Sequence, residues 1–327
     1  MLRVATRMVP PCQAAMRVLV TGGAGFIGGN LTRALAARGD EVLVFDNLVA
    51  SRSTSAIDGV PGATFVHGDV RCPEDFAQLG TAPFDRVYHL AGSFANELSV
   101  EFPAIDLRSN VDGTRNTLAF ARQVGCGLFI YTGSSSSYGA VSLPMSEGAT
   151  CAPQTPYAQT KLEGERSVRA SGLPSALFRL FNVYGPGDPP GRYRNAIPNM
   201  MRMLEDEGSV LRVFGREATR DFTYVDDVVR VLLDAHLAVG ELVNVGSGNE
   251  TQILELARLV LSIFGLPAER VRLELPRSWD RIPRRCASTE RLERLLGFKP
   301  TTALRQGLER TAEWLYANRF ITRRVLR

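Results

Sequence analysis

Residues 17–31 read RVLVTGGAGFIGGNL, a short apolar run, then a turn carrying Gly22, Gly25 and Gly28, then a stretch with helical spacing. A strand that enters a helix through such a turn commits the chain to βα units. Glycines at these places let the backbone turn tightly and approach a pyrophosphate, whose charge then rests on the free N–H groups of the helix N-terminus. Gly22, Gly25, Phe26, Ile27 and Gly28 are therefore predicted to hold the phosphates of a dinucleotide.

The pattern repeats. RVLV, EVLVF, ATFVHG, RVYHLAG, LFIYTG and SALFRLFN are candidate strands, apolar on both faces, and helix-like segments such as FIGGNLTRALAARG and NVDGTRNTLAFARQVG lie between them, the latter closing on Gly125 as a C-cap. Strands buried on both faces and alternating with helices predict a parallel sheet covered on two sides, the doubly wound Rossmann arrangement of the α/β class, with a smaller C-terminal substrate-binding region.

The 327 residues, 45% of them hydrophobic, suffice for one large or two modest domains. Residues 1–15 are basic and proline-containing and are expected to form a disordered extension, so that the working protein starts near Met16. Residues 16–182 are expected to form the dinucleotide-binding domain, to which 222–248 return. Residues 183–221 and 249–327 form the second region, entered through YGPGDPPGRYRNAIP, a loop long enough to suggest a role in binding. ELVNVGSG reads as a further strand, and TQILELARLVLSIFG and STERLERLLGFKP as helices.

Several functions are excluded. No apolar run reaches the roughly 18 residues that cross a bilayer, and a net charge of +4 is too small for a nucleic-acid partner. Five scattered cysteines (Cys12, Cys72, Cys126, Cys151, Cys286) and three isolated histidines have no metal-ligand spacing, and fit reduced thiols in a cytoplasmic protein without a metal site.

Asp46 ends the second strand eighteen residues beyond Gly28, where a carboxylate accepts hydrogen bonds from a ribose diol and repels a 2′-phosphate, favouring NAD over NADP. Asn47 follows it. Asp69 and Val70, in HGDVR, are candidates for the adenine edge, and Leu90, Ala91 and Gly92, in HLAG, for the middle of the cofactor.

The chemistry is expected in QTPYAQTK. Thr155 reads as an N-cap and Pro156 as the first helical residue, which puts Tyr157 and Lys161 on one helix face. An ammonium beside a phenol favours the phenolate. Lowering a tyrosine pKa by about three units takes roughly 4 kcal/mol, which a cation, a helix N-terminus and a bound nicotinamide could share, giving a general base near neutral pH. The serine run TGSSSSYG follows the fifth strand, at the edge where such sheets hold ligands.

In that order, TGGAGFIG, FDNL, GDVR, HLAG, NVDGTRNTL, SSSSYG, PYAQTK, RLFNVYGPG, RDFTYVDD and LGFKP resemble the extended short-chain dehydrogenase/reductases, and among them the NAD-dependent nucleotide-sugar epimerases and dehydratases such as UDP-glucose 4-epimerase. The resemblance implies Tyr157 as base, Lys161 as the group that binds the nicotinamide ribose and tunes Tyr157, Ser134 as proton bridge, and Asn110 as a support of the active-site helix. It assigns Ser135, Ser136, Asn182, Asn195, Arg220 and Arg281 to a nucleotide-diphosphate sugar. It also implies a homodimer paired through the helices of NVDGTRNTLAFARQ and YAQTKLEGERSVRA.

Dehydratases of this family place an Asp-Glu pair after the bridging hydroxyl, and its decarboxylases a glutamate in the same loop; here Ser135 and Ser136 stand there. The resemblance thus favours 4-epimerisation through a transient 4-keto sugar, with a dehydratase, a decarboxylase, a net oxidoreductase or a non-catalytic NAD-binding scaffold as alternatives.

Overall fold

The computed structural model describes residues 14–206 and 208–322; all of the predicted N-terminal extension except Ala14 and Ala15 lies outside them. The first half of the chain supplies strands β1 (Arg17–Thr21), β2 (Glu41–Asp46), β3 (Ala63–His67), β4 (Arg86–His89), β5 (Leu128–Ser134) and β6 (Ser175–Leu180). Its helices are α1 (Phe26–Ala37), the short α2 (Asn96–Glu101) and α3 (Pro103–Asp106), α4 (Gly113–Val124) and α5 (Pro156–Ala170). The second half adds β7 (Val183–Tyr184), α6 (Ala196–Met203), β8 (Leu211–Phe214), β9 (Thr219–Asp221), β10 (Thr223–Tyr224), α7 (Val225–Leu233) and β11 (Leu242–Val245). It ends with β12 (Glu250–Gln252), α8 (Ile253–Ile263), β13 (Val271–Glu274), α9 (Glu290–Leu296) and α10 (Leu304–Ala317).

Seven strands form one sheet in the order β11-β6-β5-β4-β1-β2-β3, every pairing parallel. Strand order reverses between β1 and β4, and a crevice opens there at the carboxyl ends of the strands. Alternate residues of each strand serve different cores, which is why the strand sequences are apolar throughout. Val18, Val20, Val44 and Ile130 pack with Leu31 and Leu35 of α1 and Val228 and Leu232 of α7. Leu19, Leu43, Val87 and Phe129 pack on the opposite face with Leu118, Phe120 and Val124 of α4.

Two elements depart from the sequence reading. The helix expected from Asn110 begins as a π-helical turn over Leu107–Asp112 and becomes α-helical only at Gly113; Gly125, left-handed at φ 76°, ends it as expected. The second region is less purely helical than its sequence suggests. Its core, around Met201, Leu211, Leu256, Leu261, Leu308 and Leu315, joins α6, α8 and α10 to β8. Small pairings surround it, β8 with β13, β9 with β12 and β7 with β10.

Candidate active site

A cavity of about 520 Å³ opens at the strand-order reversal and runs from the glycine turn to the second region. At the turn, Gly22 has φ +72°, and a Cβ there would lie 2.6 Å from the Ala91 nitrogen. A Cβ on Gly92 would lie 2.5 Å from Asn110 Oδ1. The loops after β1 and β4 thus meet as bare backbone, the surface a pyrophosphate needs, and the residues present fit a dinucleotide. Gly22, Gly25, Phe26, Ile27, Gly28, Asp46, Asn47, Asp69, Val70, Leu90, Ala91 and Gly92 all line this cavity.

At the end of β2, Asp46 accepts from the backbone N–H groups of Ala24 (3.1 Å) and Leu48 (2.8 Å). Burial nevertheless leaves its pKa above the ordinary carboxylate value. Asp69 behaves oppositely: burial opposes its ionisation, but the hydrogen bonds from Arg71 and Asn47 outweigh that and hold it at about 2. Arg71 lines the cavity too and had no part in the sequence reading.

The chemical end is carried by α5. Thr155 caps it, accepting from Ala158 N–H (3.2 Å) and donating to Asn96 Oδ1 (2.6 Å), with Pro156 in the first turn. The Tyr131 hydroxyl donates to the Lys161 carbonyl at 2.9 Å, a contact open only because residue 164 is glycine. Buried Glu165 takes two hydrogen bonds of 2.9 Å from Arg179 on β6. Tyr157 and Lys161 are thereby presented to the cavity with Ser134, Ser135 and Ser136, and the Ser134 side chain is near enough to Tyr157 to favour its ionisation. Asn110 stands behind this wall, buried, its Nδ2 donating to Thr160 Oγ1 at 3.1 Å.

In the protein alone the Tyr157 pKa is pushed up to about 12, first by burial and further by the Asp106 carboxylate, against the influence of the Ser134 side chain and the Arg285 charge. Lys161 falls to about 8, because burial removes water from its ammonium faster than Asp106 compensates. Burial is the largest influence on both groups, and the positive charge of a bound nicotinamide, which the expectation also counted, comes in addition to this balance.

Across the cavity stand Asn182, Asn195, Asp188, Arg192, Tyr193, Arg194 and Arg285. Asn195 donates to the buried Asp188 carboxylate at 2.8 Å, and Asn182 to the Asp221 carbonyl at 3.1 Å. Two predicted substrate residues lie elsewhere. Arg220 does not line the cavity: it is buried against the Thr219 and Pro283 carbonyls and the Asp280 carboxylate, because a guanidinium below the wall needs several acceptors. Arg281 is exposed, donating to the Ser278 carbonyl, since the loop turns its side chain outward. Arg285, four residues on, faces Tyr157 instead and is held by Asp280 at 3.5 Å. Its place in RIPRR marked a basic cluster, but not which arginine turns inward. Besides Arg71, sequence reasoning missed Arg285, Asp188 and Ser93, which line the cavity, and Asp106, which lies behind it.

Comparison with known proteins gives the following. The family model described as NAD dependent epimerase/dehydratase family matches residues 18–246. A UDP-N-acetyl-alpha-D-glucosaminuronate decarboxylase of Bacillus cytotoxicus is 32% identical over 91% of this chain and 97% of its own. The structure of an epimerase from Methanothermobacter thermautotrophicus superposes with a TM-score of 0.86 at 36% identity, covering 93% of each chain. A dTDP-glucose 4,6-dehydratase from Streptomyces venezuelae, crystallised with NAD, gives 0.85 at 31% identity over 93% of this chain and 98% of that one.

Proposed function

This chain belongs to the NAD dependent epimerase/dehydratase family, and from that premise we propose that it is a nucleotide-sugar 4-epimerase acting on a UDP- or TDP-hexose or hexuronate. The cofactor is NAD, which when bound supplies a hydride acceptor beside the sugar carbon. Every other part is the chain's own. Tyr157 removes the hydroxyl proton, through Ser134 where the alcohol does not reach it directly, and returns it to the C4 oxygen after the keto sugar has turned over in the cavity, so that the hydride held by the cofactor would be restored to the opposite face of that carbon. Lys161 holds the cofactor ribose and opposes the charge left on Tyr157. Arg285, with Asn182 and Asn195, grips the diphosphate, the planar guanidinium matching phosphate oxygens.

The observation that carries the reading is the wall beside Tyr157. Ser134, Ser135 and Ser136 fill it, and a serine hydroxyl has no acidity to deliver a proton to a leaving hydroxide. The carboxylates lining the cavity are Asp46 and Asp69 in the adenosine half and Asp188, bound to Asn195. Among the described residues, no carboxylate belongs to the wall of Ser134, Ser135 and Ser136, where water loss would need an acid. Exposed Val100, Phe102 and Leu107, just before α4, support the homodimer that belongs to the same reading.

The test is incubation with a panel of UDP- and TDP-hexoses and uronates, with products identified by NMR and mass. The expected product keeps the substrate's mass and inverts one carbon without net consumption of free NAD. Release of water or carbon dioxide, or stoichiometric reduction of added NAD, overturns the proposal.

A further inference from the structure

Behind the wall that carries Tyr157 lies a group of polar atoms the proposed reaction does not use. Asp106, the last residue of α3, is fully buried, and neither carboxylate oxygen has a hydrogen-bond partner in the protein. Ser93 Oγ and Asn110 Oδ1 are likewise buried and unpartnered. The Lys161 ammonium lies 3.9 Å from the position a Cβ on Gly92 would take and Asn110 Oδ1 2.5 Å from that same point, while α3, which ends at Asp106, packs against α5, close enough for the Asp106 and Lys161 charges to act on each other. A buried carboxylate without hydrogen bonds costs several kcal/mol unless a nearby charge offsets it. The charge available is Lys161.

Resting on the reading of Tyr157 as the base, we propose that Asp106 is a positioning residue that fixes the charge state of the Tyr157–Lys161 pair from behind, setting the pH range in which the base works.

The signs are consistent. Burial raises the Asp106 pKa, while the Ser93 hydroxyl, near but short of hydrogen-bond geometry, and the Lys161 charge lower it. In return Asp106 keeps Lys161 protonated to higher pH and makes Tyr157 harder to ionise. The remaining charged groups on the elements packed against α3 do not duplicate this. Glu97 and Glu101 on α2 and Arg108 on the π-helical turn are exposed, Asp112 is half-buried, and on α5 Glu165 is committed to Arg179.

Removing the negative charge should therefore make both partners of the pair lose their protons at lower pH. In Asp106→Asn, the phenolate absorbance assigned to Tyr157, by subtraction of the Tyr157→Phe spectrum, should appear about half a pH unit or more below that of the unaltered protein. Where turnover is measured, both limbs of the pH–rate profile should move the same way, whereas a merely structural role would lower the amplitude and leave the limbs in place. An unmoved phenolate titration in a folded, NAD-retaining Asp106→Asn protein overturns the inference. Should that variant not fold, Asp106→Ser, equally uncharged and smaller, must shift the same titration downward, and its failure to do so overturns the inference equally. The absorbance titration needs no turnover, so a wrong reaction assignment and a wrong role for Asp106 give different results.

Discussion

Tyr157 shows how little a two-residue motif says about reactivity. The Ser134 side chain and the Arg285 charge favour ionisation of its hydroxyl, and burial and Asp106 oppose it and win in the protein alone. The missing positive charge is the one a bound nicotinamide carries, so the base is expected to become usable only in the loaded enzyme. Tyr157→Phe should lower kcat by about 10²–10⁴-fold, the usual share of general acid–base catalysis, while equilibrium dialysis finds NAD affinity nearly unchanged. A second residue, Asp188, titrates for a different reason. Burial raises its pKa to about 6, more than the hydrogen bond from Asn195 and the charge of Arg194 lower it. The folded form thus binds this proton more tightly than the unfolded chain, whose value is near 3.8. Stability from this group is complete below that lower value and is lost as pH rises through about 6. Asp188→Asn, neutral throughout, should gain stability relative to the unaltered protein between about pH 4 and about pH 7 by urea unfolding; equal differences at both ends would show that Asp188 does not titrate in that window.

At the scale of elements, α5 matters because it carries both Tyr157 and Lys161, and its direction is set by contacts away from the cavity. The Glu165–Arg179 pair ties its second half to β6, both side chains being buried. Glu165→Gln would leave a buried guanidinium without its counter-charge, and the expected cost is about 3 kcal/mol, read as a fall in the urea midpoint with unchanged slope. The large elements were legible in the sequence because the inner strands of the sheet are buried on both faces and some helix ends carry a recognisable signal, Thr155 at one start and Gly125 at one finish. The pairings of β7 to β10 and of β9 to β12 were not, since strands of two or three residues are too short to show a period. The π-helical turn that carries Asn110 leaves a helical composition unchanged. In the candidate site, the glycine turn and the Tyr-x-x-x-Lys spacing are local and could be read directly. The choice of Arg285 over Arg281 depends on how an irregular loop turns, and Asp106 acts across two helices, so neither has a local signature.

The cavity as a whole is built from two unlike halves. The parallel sheet supplies bare backbone and the buried carboxylate of Asp46, while the second region supplies charge on a segment that folds back across the opening. Arg220, buried below that segment, holds Asp280, and Asp280 in turn faces Arg285, so a residue outside the cavity orients one inside it. Burial first, and then the neighbouring Arg220, lower the Arg285 pKa to about 10, which marks a cation with little solvent and one carboxylate for company. An incoming diphosphate would find it poorly compensated. Ligands that bind the two halves should therefore stabilise the fold separately, each by about 2.7 kcal/mol at a hundredfold excess over its dissociation constant. In Arg285→Ala the thermal shift produced by NAD should persist, whereas that produced by UDP should require at least about tenfold more ligand, the loss expected for one charge-assisted hydrogen bond. Parallel loss of both shifts would mean that Arg285 supports the fold of the whole cavity, and that its two ends are not independent binding surfaces.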